Sequence, residues 1–295
     1  MRRAMVLVVL ISLAKTAAAE PLNATDNLLD DQLSRAIYAA DRVAQPADEG
    51  WHWKAEGMYI FSPVTGYFQT PSGGQPGTTS IKRPTLKEMG IKHANLFDAE
   101  VSATSGDHGF YLGGQWTWLK KDATLDQALI SHGETFPAHT VISSDHKVDW
   151  YRVGYQYRIH KGDEPGGNLP LGVYARAGLA ILDFHYRLDG SNGAEADRGY
   201  VKPGPQLGLN LDWRVMDKLS IEGDFSSTLP FSSMPWIVNA QVLAKYTILD
   251  KGKLQLSGFI GTGYEKISFE DNQTVSNHIN MDFGPMLLLG LELRF

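Results

Sequence analysis

The chain has 295 residues, 33 acidic against 27 basic side chains for a net charge of −6, 30 glycines, 11% aromatic residues and no cysteine. Without cysteine there are no disulfide staples and no acylated-cysteine anchor, and the acidic balance argues against nucleic acid as a partner. With a mean hydropathy of −0.23, no segment beyond the N-terminus approaches the apolar 18-mer of a membrane helix.

Residues 1–19 begin with Arg2 and Arg3, continue through an apolar run from Ala4 to Ala14 that is too short to span a bilayer, and end in the small residues Ala17 and Ala19. That order predicts a cleaved signal peptide, with the cut after Ala19. Cleavage removes Arg2, Arg3 and Lys15 and leaves 24 basic against 33 acidic residues, a mature charge of −9. In residues 20–50, Leu29, Leu33, Ile37, Ala40 and Val43 recur at helical spacing, Thr25 or Asp26 can cap the start, and Pro46 ends the pattern. A short amphipathic helix and linker is expected there, packing on or plugging the domain that follows.

From Trp51 onward the period is two. In "WHWKAEGMYIF" the apolar positions Trp51, Trp53, Ala55, Tyr59 and Phe61 alternate with His52, Lys54 and Glu56. Trp51 to Phe61 is ten steps, about 33 Å of strand or about 24 Å after a ~45° tilt, near the height of a bilayer's apolar band. Nine further segments alternate in the same way: residues 94–104, 109–119 (with Trp116 and Trp118), 148–159, 171–181, 207–214 (with Trp213), 219–225, 236–246 (from Trp236), 254–265 and 286–295. In the last, Leu287, Leu289, Leu291, Leu293 and Phe295 share one face, with Glu292 and Arg294 on the other. Short connections at "SGDHG", "HKGDEPGGNLP", "VMDK" and "LDKGK" alternate with longer ones that include residues 62–92 and 120–147. Strands with one lipid-like face must close on themselves, because backbone N–H and C=O groups cannot be left unpaired in hydrocarbon. The expected fold is therefore all-β: an antiparallel up-and-down transmembrane barrel over residues 51–295, with about ten strands within a range of about 8–12. A soluble lipocalin-like barrel or β-sandwich would instead crowd the aromatics into its core.

The signal peptide, the glycine-rich cysteine-free body, the aromatic girdles and the terminal Phe295 together resemble the outer-membrane β-barrel proteins of Gram-negative bacteria. The likeness is architectural. It implies that the helix of residues 20–50 lies in the periplasm, that the aromatics Trp51, Trp53, Tyr59, Phe61, Trp116, Trp118, Trp213 and Trp236 sit at the membrane interfaces, and that outer-membrane lipids and lipopolysaccharide surround the wall. It also implies that the barrel-assembly machinery reads Leu289, Leu291, Leu293 and Phe295.

On this pattern the lumen holds Lys54, Arg152, Arg158, Arg176, Arg214, Lys245 and Arg294 against Glu56, Asp98, Glu100, Asp212, Glu222, Asp224, Glu265 and Glu292. Near-matched signs favour an ion-paired internal plug over a selective pore, which would show one sign in excess. The loop after the first strand holds a basic patch, Lys82, Arg83, Lys87 and Lys92, suited to lipopolysaccharide phosphates or another anion, and "PTLKEMGI" reads as a capped helical turn ended by Gly90. His132, His139 and His146 recur every seven residues, but extended chain gives that spacing no ligand geometry, so exposed loop histidines are expected. Asp183 and His185 resemble the Asp-x-His element of omptin proteases, with Asp98 and Glu100 as an acidic pair. Their parity with Ile181, however, points them out of the barrel.

The function expected is therefore a non-enzymatic integral outer-membrane barrel, serving envelope structure or surface interaction, with no cofactor, no metal site and no catalytic residue. A small-solute channel is the second reading and a barrel enzyme acting on lipid A or peptides the third.

Overall fold

The structure is a computed structural model in which residues 50–69, 85–131, 133–160, 171–231, 233–252, 254–270 and 277–295 are described. The signal peptide expected at 1–19 and the helix expected within 20–50 lie outside these residues. Ten strands close into one barrel: β1 (His52–Gln69), β2 (His93–Ser105), β3 (His108–Thr124), β6 (Val141–His160), β7 (Leu171–Gly190), β8 (Glu195–Met216), β9 (Leu219–Thr228), β10 (Trp236–Lys251), β11 (Leu254–Glu270) and β12 (His278–Arg294). The short hairpin of β4 (Leu129–Ser131) and β5 (Glu134–Phe136) lies in the connection from β3 to β6. All pairings are antiparallel, and β1 joins β12 on one side and β2 on the other, which closes the wall. The seam is tied at its end by two backbone bonds, Trp53 N to Phe295 O at 2.8 Å and Phe295 N to Trp53 O at 3.0 Å.

Two-residue connections join β2 to β3, β8 to β9 and β10 to β11 near the end that carries Trp51 and Phe295. Gly106 and Gly252 take positive φ there, at 59° and 68°, which an L side chain adopts only with strain,. The outward face above these turns is a band of exposed Leu, Val and Phe: Phe110, Leu112, Val153, Leu179, Leu207, Leu209, Phe225, Val242, Ile260, Leu289 and Leu291 among them. A water-facing sheet would turn that face to a core.

Beyond the band, toward the far end, the strands continue and the sense of the alternation inverts. In "DFHYRLDG" the inward residues Phe184, Tyr186 and Leu188 are buried, while Asp183, His185, Arg187 and Asp189 line the outer wall in ion pairs. The residues expected as long connections are thus partly strand: β1 runs on to Gln69, β3 to Thr124, and β6 starts at Val141. A solvated wall needs a dry interior, so the far half of the barrel is built like a soluble barrel on a membrane-type one. The turn Thr85–Gly90 folds into its mouth. Thr85 and Glu88 cap each other reciprocally, with Glu88 Oε2 accepting from Thr85 N and Oγ1 at 3.1 and 3.0 Å, and Thr85 Oγ1 accepting from Glu88 N at 3.2 Å,.

The far rim is uneven. The β9–β10 hairpin stops at Thr228 and Trp236, whereas β8 runs on to Glu195 with no partner on that side among the described residues. Pro203 and Pro205 remove edge N–H donors there, and the Pro205 carbonyl accepts from Leu229 N at 2.9 Å,. The Tyr200 ring meets Phe269 of β11 at 5.0 Å across the gap.

Candidate functional site: a closed lumen and its mouth

The interior has three layers. Nearest the terminal end, the Lys245 ammonium lies 2.6 Å from each of Glu56, Glu222 and Glu292. Lys54 adds contacts to Glu222 and Glu56 at 3.5 and 3.8 Å, and Arg294 joins Glu292 to Asp212 at 2.5 and 3.4 Å. These three carboxylates are the one group among the described residues whose oxygens converge as metal ligands do. The Lys245 ammonium already occupies their centre.

The second layer is a chain of arginine and carboxylate. Arg152 donates to both oxygens of Asp98 at 2.7 Å and through Nε to Glu100 at 2.8 Å; Arg176 bridges Glu100 at 2.6 Å and Asp224 at 3.1 Å. Asn210 links the layers by donating to Glu222 and Asp224. Arg176 also lies 3.8 Å above the Tyr111 ring, and Gly113 and Gly154 leave the wall bare where Arg152 and Tyr111 cross it. Glu265 is fully buried and takes its bonds from amides, Gln115 at 2.9 and 3.0 Å and Asn239 at 3.2 Å. The cavity left among these groups is about 20 Å³, bounded by Lys54, Glu100, Trp150, Arg152 and Gln206. That is room for about one water molecule.

The third layer is apolar and fills the mouth. Phe68, Leu86, Met89, Leu125, Leu129, Phe136, Leu182, Phe184, Leu188 and Phe283 are each at most 2% exposed. His146 sits among them, stacked on Tyr186 at 4.7 Å and edge-on to Phe68 at 4.8 Å, with Nε2 3.3 Å from Met89 Sδ. Burial pulls its pKa down to about 3, and burial pushes Tyr186, which takes a bond from Ser131, up to about 12. The expectation of exposed loop histidines fails here, because β6 carries its inward parity through His146 into the core. His139 is exposed, and His132 lies outside the described residues.

The other expected positions fall as follows. Trp51, Trp53, Tyr59, Phe61, Trp118 and Trp236 are exposed and outward, with Trp116 and Trp213 half-buried. Arg158 lies over the Tyr174 ring at 5.2 Å, whereas Arg214, paired in regular register with Ser220 near the end of β8, is exposed and outside the buried network. Lys87 and Lys92 are exposed; Lys82 and Arg83 lie outside the described residues. Asp183 and His185 are on the outer wall, bonded to Lys147 at 2.8 Å and Asp197 at 3.1 Å, while Asp98 and Glu100 are in the lumen, so the four share no space. Reading the sequence alone could not find Lys245 as the hub of the first layer: of its three partners, Glu292 and Glu56 lie 47 and 189 residues away.

No protein-family model matches the sequence, and no curated protein matches it. Among solved structures the chain is similar to the outer membrane protease OmpT from Escherichia coli, at 9% identity over 85% of this chain and 99% of that one, with a TM-score of 0.40. It is also similar to the attachment invasion locus protein Ail of Yersinia pestis (12%, 84% and 99%, TM-score 0.35) and the translocator domain of the autotransporter NalP from Neisseria meningitidis (9%, 90% and 96%, TM-score 0.33). The fold itself is a closed antiparallel β-barrel of ten strands. At such identities and TM-scores the likeness carries over no activity.

Proposed function

We propose that this protein is an integral barrel of a Gram-negative outer membrane with a non-conducting lumen, acting through the part that projects beyond the lipid band, in envelope structure or surface contact. The observation that carries the reading is the double closure of the interior: ion-paired layers in the membrane-level half and an apolar core in the mouth. A solute path would have to break both. On this reading the aromatics from Trp51 to Trp236 mark the two interfaces, the signal peptide delivers the chain to the periplasm, and the assembly machinery reads Leu289, Leu291, Leu293 and Phe295. The projecting wall, the β4–β5 hairpin and the Thr85–Gly90 turn are then the parts that face outside.

The cysteine-free chain permits a direct test of this orientation. Glu134→Cys on the β4–β5 hairpin should react with a membrane-impermeant maleimide on intact cells. Asp217→Cys in the β8–β9 turn should react only after the outer membrane is opened. Equal labelling of both positions on intact cells, or recovery of the protein in the soluble fraction, would contradict the reading.

A further inference from the structure

We propose that the projecting edge of β8, from Asp197 to Val201, is a docking site for an extended segment of another protein, which adds to the sheet as a strand antiparallel to β8. The proposal rests on the outer-membrane reading, in which this edge stands outside the lipid band, and names the kind of partner it meets. β8 pairs with β7 from Glu195 to Trp213, but with β9 only from Gln206 onward. In an antiparallel sheet the N–H and C=O of one residue point to one neighbour and those of the next residue to the other. The Pro205 carbonyl accepts from Leu229 N on the β9 side, and the β7–β8 register runs without a shift, so Pro203, Val201, Gly199 and Asp197 face that same open side.

Two kinds of residue divide this edge. Pro203 and Pro205 have no N–H, and they stand at its lower end, next to the lipid band, where an unpaired donor would cost most. Val201, Gly199 and Asp197 keep both backbone groups, and on the open side these have no hydrogen-bond partner among the described residues. All three residues are exposed, Val201 by 60%. The Asp197 carboxylate is turned onto the β7 wall, to His185 at 3.1 Å, and so does not cap the edge. Sheet edges are ordinarily blunted by proline, charge or a covering loop; the prolines here stop at Pro203.

The β9–β10 connection is held below the edge instead of covering it. Thr228 Oγ1 donates to Pro235 O and accepts from Ile237 N, both at 2.7 Å, Met234 N donates to Phe231 O at 3.1 Å, and Pro235 O would stand 3.5 Å from a Cβ on Gly204 of β8. This floor presents Phe231 and Met234 to the outside. Behind the edge the Tyr200 ring lies 5.0 Å from both Phe184 and Phe269. Donors and acceptors that recur at every second residue of a strand complement the backbone of another extended chain; an acyl chain would leave them unpaired. A second copy in the same membrane presents its own β8 running the same way, so it offers no antiparallel edge. The fitting segment alternates, with apolar side chains turned in beside Tyr200 and Phe269 and polar ones turned out beside Gly199 and Val201.

The test uses the full-length protein folded in detergent with M234C as its single thiol, which tethers a weak ligand beside the edge at high effective concentration. The probes are two synthetic peptides of about ten residues, each starting with cysteine and alternating valine with threonine. One of them is N-methylated at every second residue, on the side that would face β8. Each backbone hydrogen bond contributes about fivefold, so disulfide capture at equilibrium should favour the unmethylated peptide on the order of a hundredfold over the three open positions. Adding V201P, which removes a donor facing away from β7, should lower capture about fivefold, whereas V201T should keep it. Hydrogen exchange should show the captured peptide protecting the Asp197, Gly199 and Val201 amides. Equal capture of the two peptides, or unchanged exchange at those amides, would overturn the docking edge while leaving the barrel reading intact. Failure of the wild type to insert into lipid vesicles would instead remove the outer-membrane reading beneath it.

Discussion

His146 makes the mouth of the barrel sensitive to acid. It lies beyond the lipid band, is 2% exposed, and its pKa falls from the ordinary 6.5 to about 3 because burial disfavours the charged ring; the nearby Asp145 opposes that shift and His185 adds to it. A histidine kept neutral in the closed mouth but free to protonate when the mouth opens leaves the closed state fully stable above its open-state value. That stability declines as the pH falls from about 6.5 toward about 3. At 1.36 kcal/mol per unit, acidification to about pH 5 costs the closed state roughly 2 kcal/mol, or about 30-fold in the opening equilibrium. The opening should be read at the turn that touches the ring, where Leu86 N bonds to Gly66 O, Met89 N to Thr85 O and Ile91 N to Leu86 O. Hydrogen exchange of the lipid-embedded protein, corrected for the intrinsic pH dependence of exchange, should show these amides losing about 30-fold protection between about pH 7.5 and pH 5. His146→Phe, which keeps an aromatic ring against Tyr186 and Phe68, should not show the loss. The same pH response in both proteins, or none in the wild type, would refute the argument.

Two further substitutions probe the layers below. Lys245→Met leaves Glu56, Glu222 and Glu292 facing one another without their shared cation and should destabilise the barrel by about 3–5 kcal/mol; a denaturant midpoint unchanged in lipid vesicles would show that the cluster is not held by that lysine. Deletion of Phe295 removes the two backbone bonds to Trp53 that end the seam. It should lower the amount of barrel reaching the outer membrane, measured by surface labelling, and normal levels would exclude a role for the last residue in closure or assembly.

The membrane-level half of the barrel was legible because lipid imposes one rule on every strand. Segments such as Leu287 to Phe295 or Tyr151 to Ile159 keep apolar residues on the outward face over the whole span, and ten of them predicted ten strands. Beyond the band the rule reverses, and a strand such as Asp183–Gly190 no longer carries the lipid-facing signature even though its period stays at two. Phe184, Tyr186 and Leu188 against Asp183, His185 and Arg187 is a soluble-strand pattern in the same register, and following the parity through Ile181 would have extended β7 to its tip. The same continuation places His146 inside, where a count of histidines at seven-residue intervals could only place it in a loop. The charged lumen was legible as a set of inward residues but not as contacts, because which charge meets which across the barrel depends on strand stagger. Arg152 reaches Asp98 and Glu100 across β3, and Lys245 reaches Glu56 of β1. Neither separation leaves a mark in sequence spacing.

The claim on which the account turns is that the interior is closed, and planar-bilayer conductance of the full-length refolded protein tests it most directly. With insertion demonstrated by a difference in gel mobility between unheated and boiled samples, the account predicts no steady conductance at neutral pH. Stable channels from the folded wild-type protein under those conditions would contradict it.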